Sequence, residues 1–368
     1  TVSPYTARMT FLFFADTGGK NMTVDQLVAK AKADGASDIH LICGLPPKYR
    51  LNGRLEDMSD ECLTVDDCFA YAEELAGMNY PEYDDTGELD AADTFGGNRC
   101  RIHIFRQRGI PSVALRLLSE YIPELGTLGL PPAAMSLTDL HKGIVLVTGE
   151  TGSGKSTTLA ALLNHINHTR KDHIVTLEDP IEYIYTPALC AINQREIGKD
   201  TRSFAYGLRA SLREDPNVIL IGEMRDRDTI ETAITAAETG HLVFGTLHTG
   251  SAPDSVDRIV QVFPEGMQTQ IRLQLSMCLQ AVLTQQLIPG KNGGRSLACE
   301  MMVVTDAIRN LIRSGNTPQI ANAVATSSSL GGQTMDQSLV RLVRSGSITR
   351  DMALHYAKDP AYVKKNSI

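Results

Sequence analysis

No C-x-x-C pair occurs anywhere in the 368 residues of this chain. Its seven cysteines are Cys43, Cys62, Cys68, Cys100, Cys190, Cys278 and Cys299, an odd number with only Cys62 and Cys68 in one segment. That pattern excludes a tetracysteine zinc module and disfavours a disulfide framework. It fits buried thiols in a reducing compartment. No apolar run approaches the ~18 residues that a membrane-crossing helix needs. Phe11-Leu12-Phe13-Phe14-Ala15 is too short for the apolar part of a signal peptide, so any membrane association is expected to be peripheral. Basic charge is in deficit: 35 Lys and Arg stand against 43 Asp and Glu, a net charge of −8. That weighs against a direct nucleic-acid partner, whose phosphates attract basic surfaces. Internal repeats and low-complexity segments are absent as well. What remains is an ordinary globular composition, 42% hydrophobic and 21% charged, with length for about two domains at ~100–200 residues each.

Residues 1–21 read as an N-terminal extension ending at Gly18-Gly19. From there Val24, Leu27, Val28 and Ala31 repeat at helical spacing, and Gly35 suits a C-cap. Ile39 and Leu41 alternate as a short strand. Lys48–Leu51 reads as a second strand, followed by an Asn52-Gly53 hairpin turn and Arg54-Leu55. An acidic helix is expected over about 65–77, then strands near 99–106 and 112–118. Residues 22–118 thus form a first domain mixing sheet and helices. Residues 119–136, with Pro123, Gly126, Gly129, Pro131 and Pro132, read as a linker. Residues 137–368 form the second domain. Its expected elements alternate: strand 144–148, helix 155–168, strand 174–178, helix 203–213, strand 218–222, helix 227–239, strand 242–247. Such alternation signals a parallel sheet with helices on both faces. Residues 265–287 read as one long helix, broken by Pro289, Gly290, Gly293 and Gly294, with further helices to the C-terminus.

The most informative segment is Gly149-Glu150-Thr151-Gly152-Ser153-Gly154-Lys155-Ser156, a complete G-x-x-x-x-G-K-[ST] loop. The apolar run Ile144–Val147 precedes it, and the helical run beginning at Thr157-Thr158 follows. In that setting backbone N–H groups and a helix N-terminus wrap a triphosphate. Lys155 is expected to reach the β- and γ-phosphates and Ser156 to hold Mg²⁺.

Three further clusters fall at or near expected strand ends, where open α/β sheets bind ligands. The first, Leu177-Glu178-Asp179-Pro180-Ile181-Glu182, runs a strand into three carboxylates. The second, Val218–Ile221 followed by Gly222-Glu223, has glycine where a Walker B strand ordinarily ends in aspartate. Glu223 is placed there to orient or deprotonate a water rather than to grip the metal. In the third, His241 and His248 bracket the run Leu242–Leu247 with Thr246 and Thr249 nearby, a pattern suited to sensing a γ-phosphate.

Taken together these boxes resemble the secretion ATPase superfamily, and most closely its PilT-type twitching-motility branch. Thr148 through Ala160 is similar to that family's Walker A. Leu177 through Tyr183 resembles its Asp box, Ile221-Gly222-Glu223-Met224-Arg225-Asp226 its Walker B, and Ala237 through Thr249 its His box. The likeness reaches the first domain at Gly35-Ala36-Ser37-Asp38-Ile39-His40-Leu41 and Leu45-Pro46-Pro47. It covers nearly all of residues 22–358.

The resemblance implies an α/β fold: a RecA-like P-loop ATPase domain with a parallel-sheet core, preceded by a smaller α+β, PAS-like N-terminal domain. It implies a homohexameric, Mg²⁺-dependent, ATP-hydrolysing motor that powers retraction of a type IV pilus. Nucleotide-binding residues would be Gly149, Glu150, Thr151, Gly152, Ser153, Gly154, Lys155, Ser156 and Thr157. Glu223 would be the catalytic carboxylate, Glu178 and Glu182 would serve metal and water, with Ser156 and Glu178 as Mg²⁺ ligands, and His248 would sense the γ-phosphate. Arg101 and Arg116, with Arg99 beside them, best match the first-domain arginines that such proteins offer to a neighbour's nucleotide. A trans arginine of this kind is worth ~10³–10⁵ in rate. The implied partner is an inner-membrane, PilC-like platform protein, which places the chain in the cytoplasm at the inner face of the membrane.

Ala307-Ile308-Arg309-Asn310-Leu311-Ile312-Arg313-Ser314 resembles the Ala-Ile-Arg-Asn-Leu-Ile-Arg-Glu motif of retraction ATPases, with Ser314 replacing the final glutamate. Assembly and type II secretion ATPases are the nearest alternatives, though many carry the tetracysteine zinc module this chain lacks. A nucleic-acid translocase is the alternative of another class, disfavoured by the acidic balance, and a nucleotide-binding regulator without turnover is a third.

Overall fold

In the computed structural model the described residues are 22–51, 53–118 and 121–367. The extension expected over 1–21 and Asn52 of the expected hairpin turn lie outside them. The chain divides between Leu118 and Ser119 into two compact units.

The first unit runs α1 (Val24–Asp34), β1 (Asp38–Leu41), β2 (Lys48–Leu51), β3 (Arg54–Asp57), α2 (Val65–Ala76), α3 (Tyr80–Thr86), β4 (Glu88–Phe95), β5 (Asn98–Gln107) and β6 (Ile110–Leu117). Thr23 and Thr64 open α1 and α2 with reciprocal capping boxes, which satisfies N–H groups that a helix start leaves without partners. The strands form one antiparallel sheet in the order β3-β2-β1-β6-β5-β4. Val24, Leu27 and Val28 of α1 and Tyr71, Ala72 and Leu75 of α2 share a core with Ile39, Cys100, Ile102, Ile104, Val113 and Leu115 of the sheet. Alternation along β5 buries Cys100 and Ile102 and leaves Arg101 on the exposed face. This is a mixed α+β arrangement of sheet and helices, with α3 and β4 beyond the elements expected. The acidic Glu88-Leu89-Asp90 stretch carries too little apolar signal to announce the strand.

The second unit runs β7 (Gly143–Thr148), α4 (Lys155–Thr169), β8 (His173–Glu178), β9 (Ala191–Glu196), α5 (Phe204–Ser211), β10 (Val218–Ile221), α6 (Arg227–Glu238), β11 (Leu242–Leu247), α7 (Ala252–Gln261) and α8 (Glu265–Cys278). It continues with β12 (Leu279–Pro289), β13 (Arg295–Val303), α9 (Asp306–Ser314), α10 (Ile320–Thr326), α11 (Met335–Arg344), α12 (Arg350–Tyr356) and α13 (Pro360–Asn366). The sheet order is β13-β12-β7-β11-β10-β8-β9, parallel except for the β12–β13 pair. β7, β10 and β11 are buried at every residue, as strands covered on both faces must be. Ile144 and Leu146 point into one core with α5 to α10; Val145 and Val147 point into the other with α4.

The helix expected over 265–287 is a correction. It ends at Cys278, and Leu279–Pro289 is a strand parallel to β7 and antiparallel to β13. Apolar spacing in that stretch fits either period, and strand pairing decides between them. β9 and β13 were likewise not anticipated, and they extend both edges of the sheet. Residues 119–136, read as a linker, are not a free tether over their described part. Ile122, Leu125, Leu128, Leu130 and Ala133 pack with Leu137 against the second unit's core. All seven cysteines are free thiols, five of them buried.

Candidate nucleotide site

β7 delivers Gly149 to a position that no other residue can occupy. Its φ is 137°, and an added Cβ would lie 2.4 Å from the Gln285 carbonyl oxygen and 2.7 Å from Ser153 Oγ. The loop then turns into α4, whose N-cap Gly154 supplies no side-chain cap. The first N–H groups of the helix are therefore left for a ligand, in the geometry that suits a phosphate. Lys155 folds back over the loop, its Nζ donating to the carbonyls of Gly149 (2.8 Å) and Glu150 (2.9 Å). The Ser153 hydroxyl is buried without a partner, a polar atom that burial alone would penalise by ~1–3 kcal/mol. Ser156 is exposed at the loop's end, and Thr157 Oγ1 lies 2.9 Å from the Tyr183 hydroxyl.

The carboxylates converge on the same edge. Glu178 closes β8, and Glu223 follows β10 by two residues. These strands are parallel neighbours, with Leu177 opposite Ile221. Gly222 suits that proximity: a Cβ there would sit a tight 3.1 Å from the Leu177 carbonyl oxygen and 3.3 Å from Glu178 Cα. A side chain at 222 would crowd the neighbouring strand, which brings Glu178 to that edge. Glu178 accepts from Thr176 Oγ1 (2.7 Å) and Gln194 Nε2 (3.2 Å). Burial nevertheless pushes its carboxyl up to about 7, against the lowering by those two donors, and the nearby Glu182 charge adds to the rise. Burial likewise lowers Lys155, while the charges of Glu223 and Glu182 oppose that shift. Both carboxylates thus lie within electrostatic reach of the loop lysine.

His248 follows β11 and joins them, Nε2 lying 3.1 Å from Glu223 Oε1. Arg225 Nε donates to the same carboxylate oxygen. Thr246 Oγ1 donates to the Gly222 carbonyl at 2.5 Å and its own carbonyl accepts from Met224 N at 3.1 Å, which pins the segment carrying Glu223 to β11. The expectation that both histidines sense phosphate is corrected. His241 precedes β11, at the opposite end of a six-residue strand that spans roughly 20 Å at about 3.3 Å per residue. There its Nδ1 meets the Ala236 carbonyl (2.8 Å), a local contact behind α6.

Arg101 and Arg116 belong to the first unit, where they are cross-strand partners on β5 and β6. Arg116 Nε donates to Asp38 Oδ1 at 2.8 Å, and Arg101 is exposed. Three contributors went unread in the sequence. Gln194 donates to both Glu178 and the Tyr183 carbonyl (2.8 Å) and accepts from Tyr185 N (3.0 Å). It lies on β9, an edge strand with little apolar signal. Arg225 and Gln285 were within view, but only folding reveals what they touch.

A glycine loop, a helix start and a lysine within reach of the Glu182 and Glu223 charges, on the carboxyl edge of a parallel sheet, define a P-loop nucleotide site. By sequence the chain belongs to the family described as type II/IV secretion system protein, whose pattern matches residues 100–293. It is 44% identical to the type IV pilus retraction ATPase PilT of Pseudomonas aeruginosa, over 92% of this chain and 99% of that one. It is 36% identical to the type IV pilus ATPase PilU of the same organism, over 91% and 89%. A crystal structure of the pilus retraction motor PilT with bound ADP superposes with a TM-score of 0.88 at 43% identity, covering 94% of this chain and all of that one.

Proposed function

We propose that this chain is a Mg²⁺-dependent ATPase that powers retraction of a type IV pilus. One observation carries the reading: His248 contacts Glu223, the charges of Glu223 and Glu182 act on Lys155, and that of Glu182 acts on Glu178, in a chain similar to a retraction ATPase over nearly its whole length. ATP would lie along Gly149–Thr157, with the uncapped helix start and the unpartnered Ser153 hydroxyl fitting its phosphates. Among the described residues no group of three or more metal-ligating side chains is preassembled. That suits Mg²⁺, which keeps its waters and nucleotide oxygens and takes few protein ligands. Ser156 and Glu178 would hold it, and when bound it neutralises charge on the phosphates. Glu223, held by His248 and Arg225, would orient and deprotonate the attacking water, with Glu182 beside it.

The working form would be a homohexamer in the cytoplasm, passing motion to a PilC-like platform protein at the inner face of the membrane. Consistent with peripheral association, no helix among the described residues is long and apolar enough to cross a membrane. Arg101 and Arg116 would reach a neighbouring subunit's nucleotide. Deleting the gene in its host tests the reading: excess pili that do not retract are expected, and absent pili would overturn it in favour of assembly. That second reading is favoured by one observation, Ser314 in place of the glutamate of the retraction motif.

A further inference from the structure

Gln285 is fully buried in the middle of β12, between Thr284 and Gln286. Its surroundings are specific. The side-chain Nε2 donates to Thr158 Oγ1 at 2.7 Å, in the first turn of α4. Its main-chain carbonyl abuts Gly149, close enough that a Cβ there would lie 2.4 Å away. Two residues on, the Leu287 side chain touches the Cβ position of Gly154 at 3.8 Å. Residues 285 and 287 share one face of β12, because strand side chains alternate. One strand therefore meets the phosphate loop at its first glycine, at its last glycine and at the helix turn beyond. Thr284, paired with Thr148 in register and bonded to it through the hydroxyls at 2.9 Å, fixes β12 against the loop's entry.

The Gln285 Oε1 is buried without a partner. Such an unsatisfied buried group calls for an explanation, and the bond its Nε2 makes to the first turn of α4 supplies one. We propose that Gln285 is a positioning residue of the nucleotide site: through Thr158 and Gly149 it clamps both ends of the phosphate loop, holding the loop open at the span a phosphate requires. This rests on the nucleotide-binding reading above and adds β12 to the site. The clamp acts before any chemistry, so its signature is affinity for nucleotide, preorganisation being what a rigid loop contributes to binding.

The experiment measures Kd for a fluorescent ADP analogue in the full chain, with thermal melting of the nucleotide-free protein alongside. Binding by the parent tests the nucleotide reading by itself; the difference between parent and variants tests the clamp. Gln285→Leu is expected to raise Kd about tenfold. Thr158→Val should do the same, and the double variant should be no worse than either single one, since both break the same bond. Thr158→Ser, which keeps the hydroxyl, should restore Kd to within about threefold of the parent. An unchanged Kd in Thr158→Val, or losses that multiply in the double variant, would overturn the proposal. Should Gln285→Leu fail to fold, the contrast between Thr158→Val and Thr158→Ser decides alone.

Discussion

His248 Nε2 and Glu223 Oε1 lie 3.1 Å apart, although the chain separates them by a helix and a strand. With Arg225 on the same oxygen, the carboxylate is held from two sides and keeps one orientation. A group that must take a proton from water needs a fixed direction before it needs an altered pKa. Thr246 reinforces the arrangement by tying Gly222 to β11.

Glu223→Gln keeps the shape and the hydrogen bonds of this carboxylate and removes its basicity. ATP binding is expected to stay within about threefold of the parent, while turnover falls by roughly 10²–10⁴, the contribution of a positioned general base. Phosphate release against Kd, measured on the same preparation, separates the two. Turnover at the parent rate would remove Glu223 from the catalytic role.

Glu178 gives a pH dependence of stability. Its pKa rises from 4.5 unfolded to about 7 folded, so between those values the folded protein binds more protons than the unfolded chain. Stability therefore falls as pH climbs through that window. Glu178→Gln removes the penalty. Without nucleotide and in EDTA, the variant should melt above the parent at pH 8, by a difference on the order of 3 kcal/mol at most, and converge with it near pH 5. Melting curves across pH 5–8 read this directly, and a difference independent of pH would contradict the assignment.

The exposed Arg101 and its cross-strand partner Arg116 are expected to serve a neighbour's nucleotide. Arg101→Ala subunits and Lys155→Ala subunits should each be nearly inactive alone. Mixed in one ring, they should recover part of the ATPase rate, because a Lys155→Ala subunit still offers its arginine to an intact site. Activity no greater than the sum of the separate preparations, at every mixing ratio, would count against a shared site.

Arg309 of the retraction-like motif is a structural residue in this fold. Its Nη1 donates to the carbonyls of Ser276 (2.7 Å), Met277 (3.1 Å) and Leu279 (3.2 Å), and its Nη2 to Gln280 Oε1 (3.2 Å), joining the end of α8 to the start of β12. Arg309→Ala leaves those helix-end carbonyls without the guanidinium and should destabilise by roughly 2–3 kcal/mol. Arg313 is exposed and, among the described residues, bonds its helix neighbour Asn310, so Arg313→Ala should stay within about 0.5 kcal/mol. Denaturant melts of the two variants make the comparison; equal losses would refute it.

The phosphate loop, the helix after it and the alternating strands of the second unit were legible because their signals are local. Glycines at fixed offsets, a lysine and a serine stand within eight consecutive residues, and β7 and β10 announce burial by the apolar runs Ile144–Val147 and Val218–Ile221. The stretch 279–289 was not legible. Its apolar residues Leu279, Val282, Leu283, Leu287 and Ile288 suit a helix continuing α8 as well as a strand, and only the gap between β7 and β13 selects the strand. His241 and His248 looked equivalent as brackets of one strand. The direction of β11 in the sheet separates them, sending one to the site and one to the far edge.

By itself, then, the sequence determined that a P-loop stands between a strand and a helix, that carboxylates follow two other strands, and that it carries neither an apolar run of membrane-spanning length nor a C-x-x-C pair. Those features depend on residues close together in the chain. Tertiary structure alone decided that Glu178 lies beside Gly222, that His248 reaches Glu223, and that Gln285 underlies Gly149. Strand neighbours are chosen by burying apolar faces contributed by residues far apart in sequence, and no local pattern encodes which strand will lie beside which.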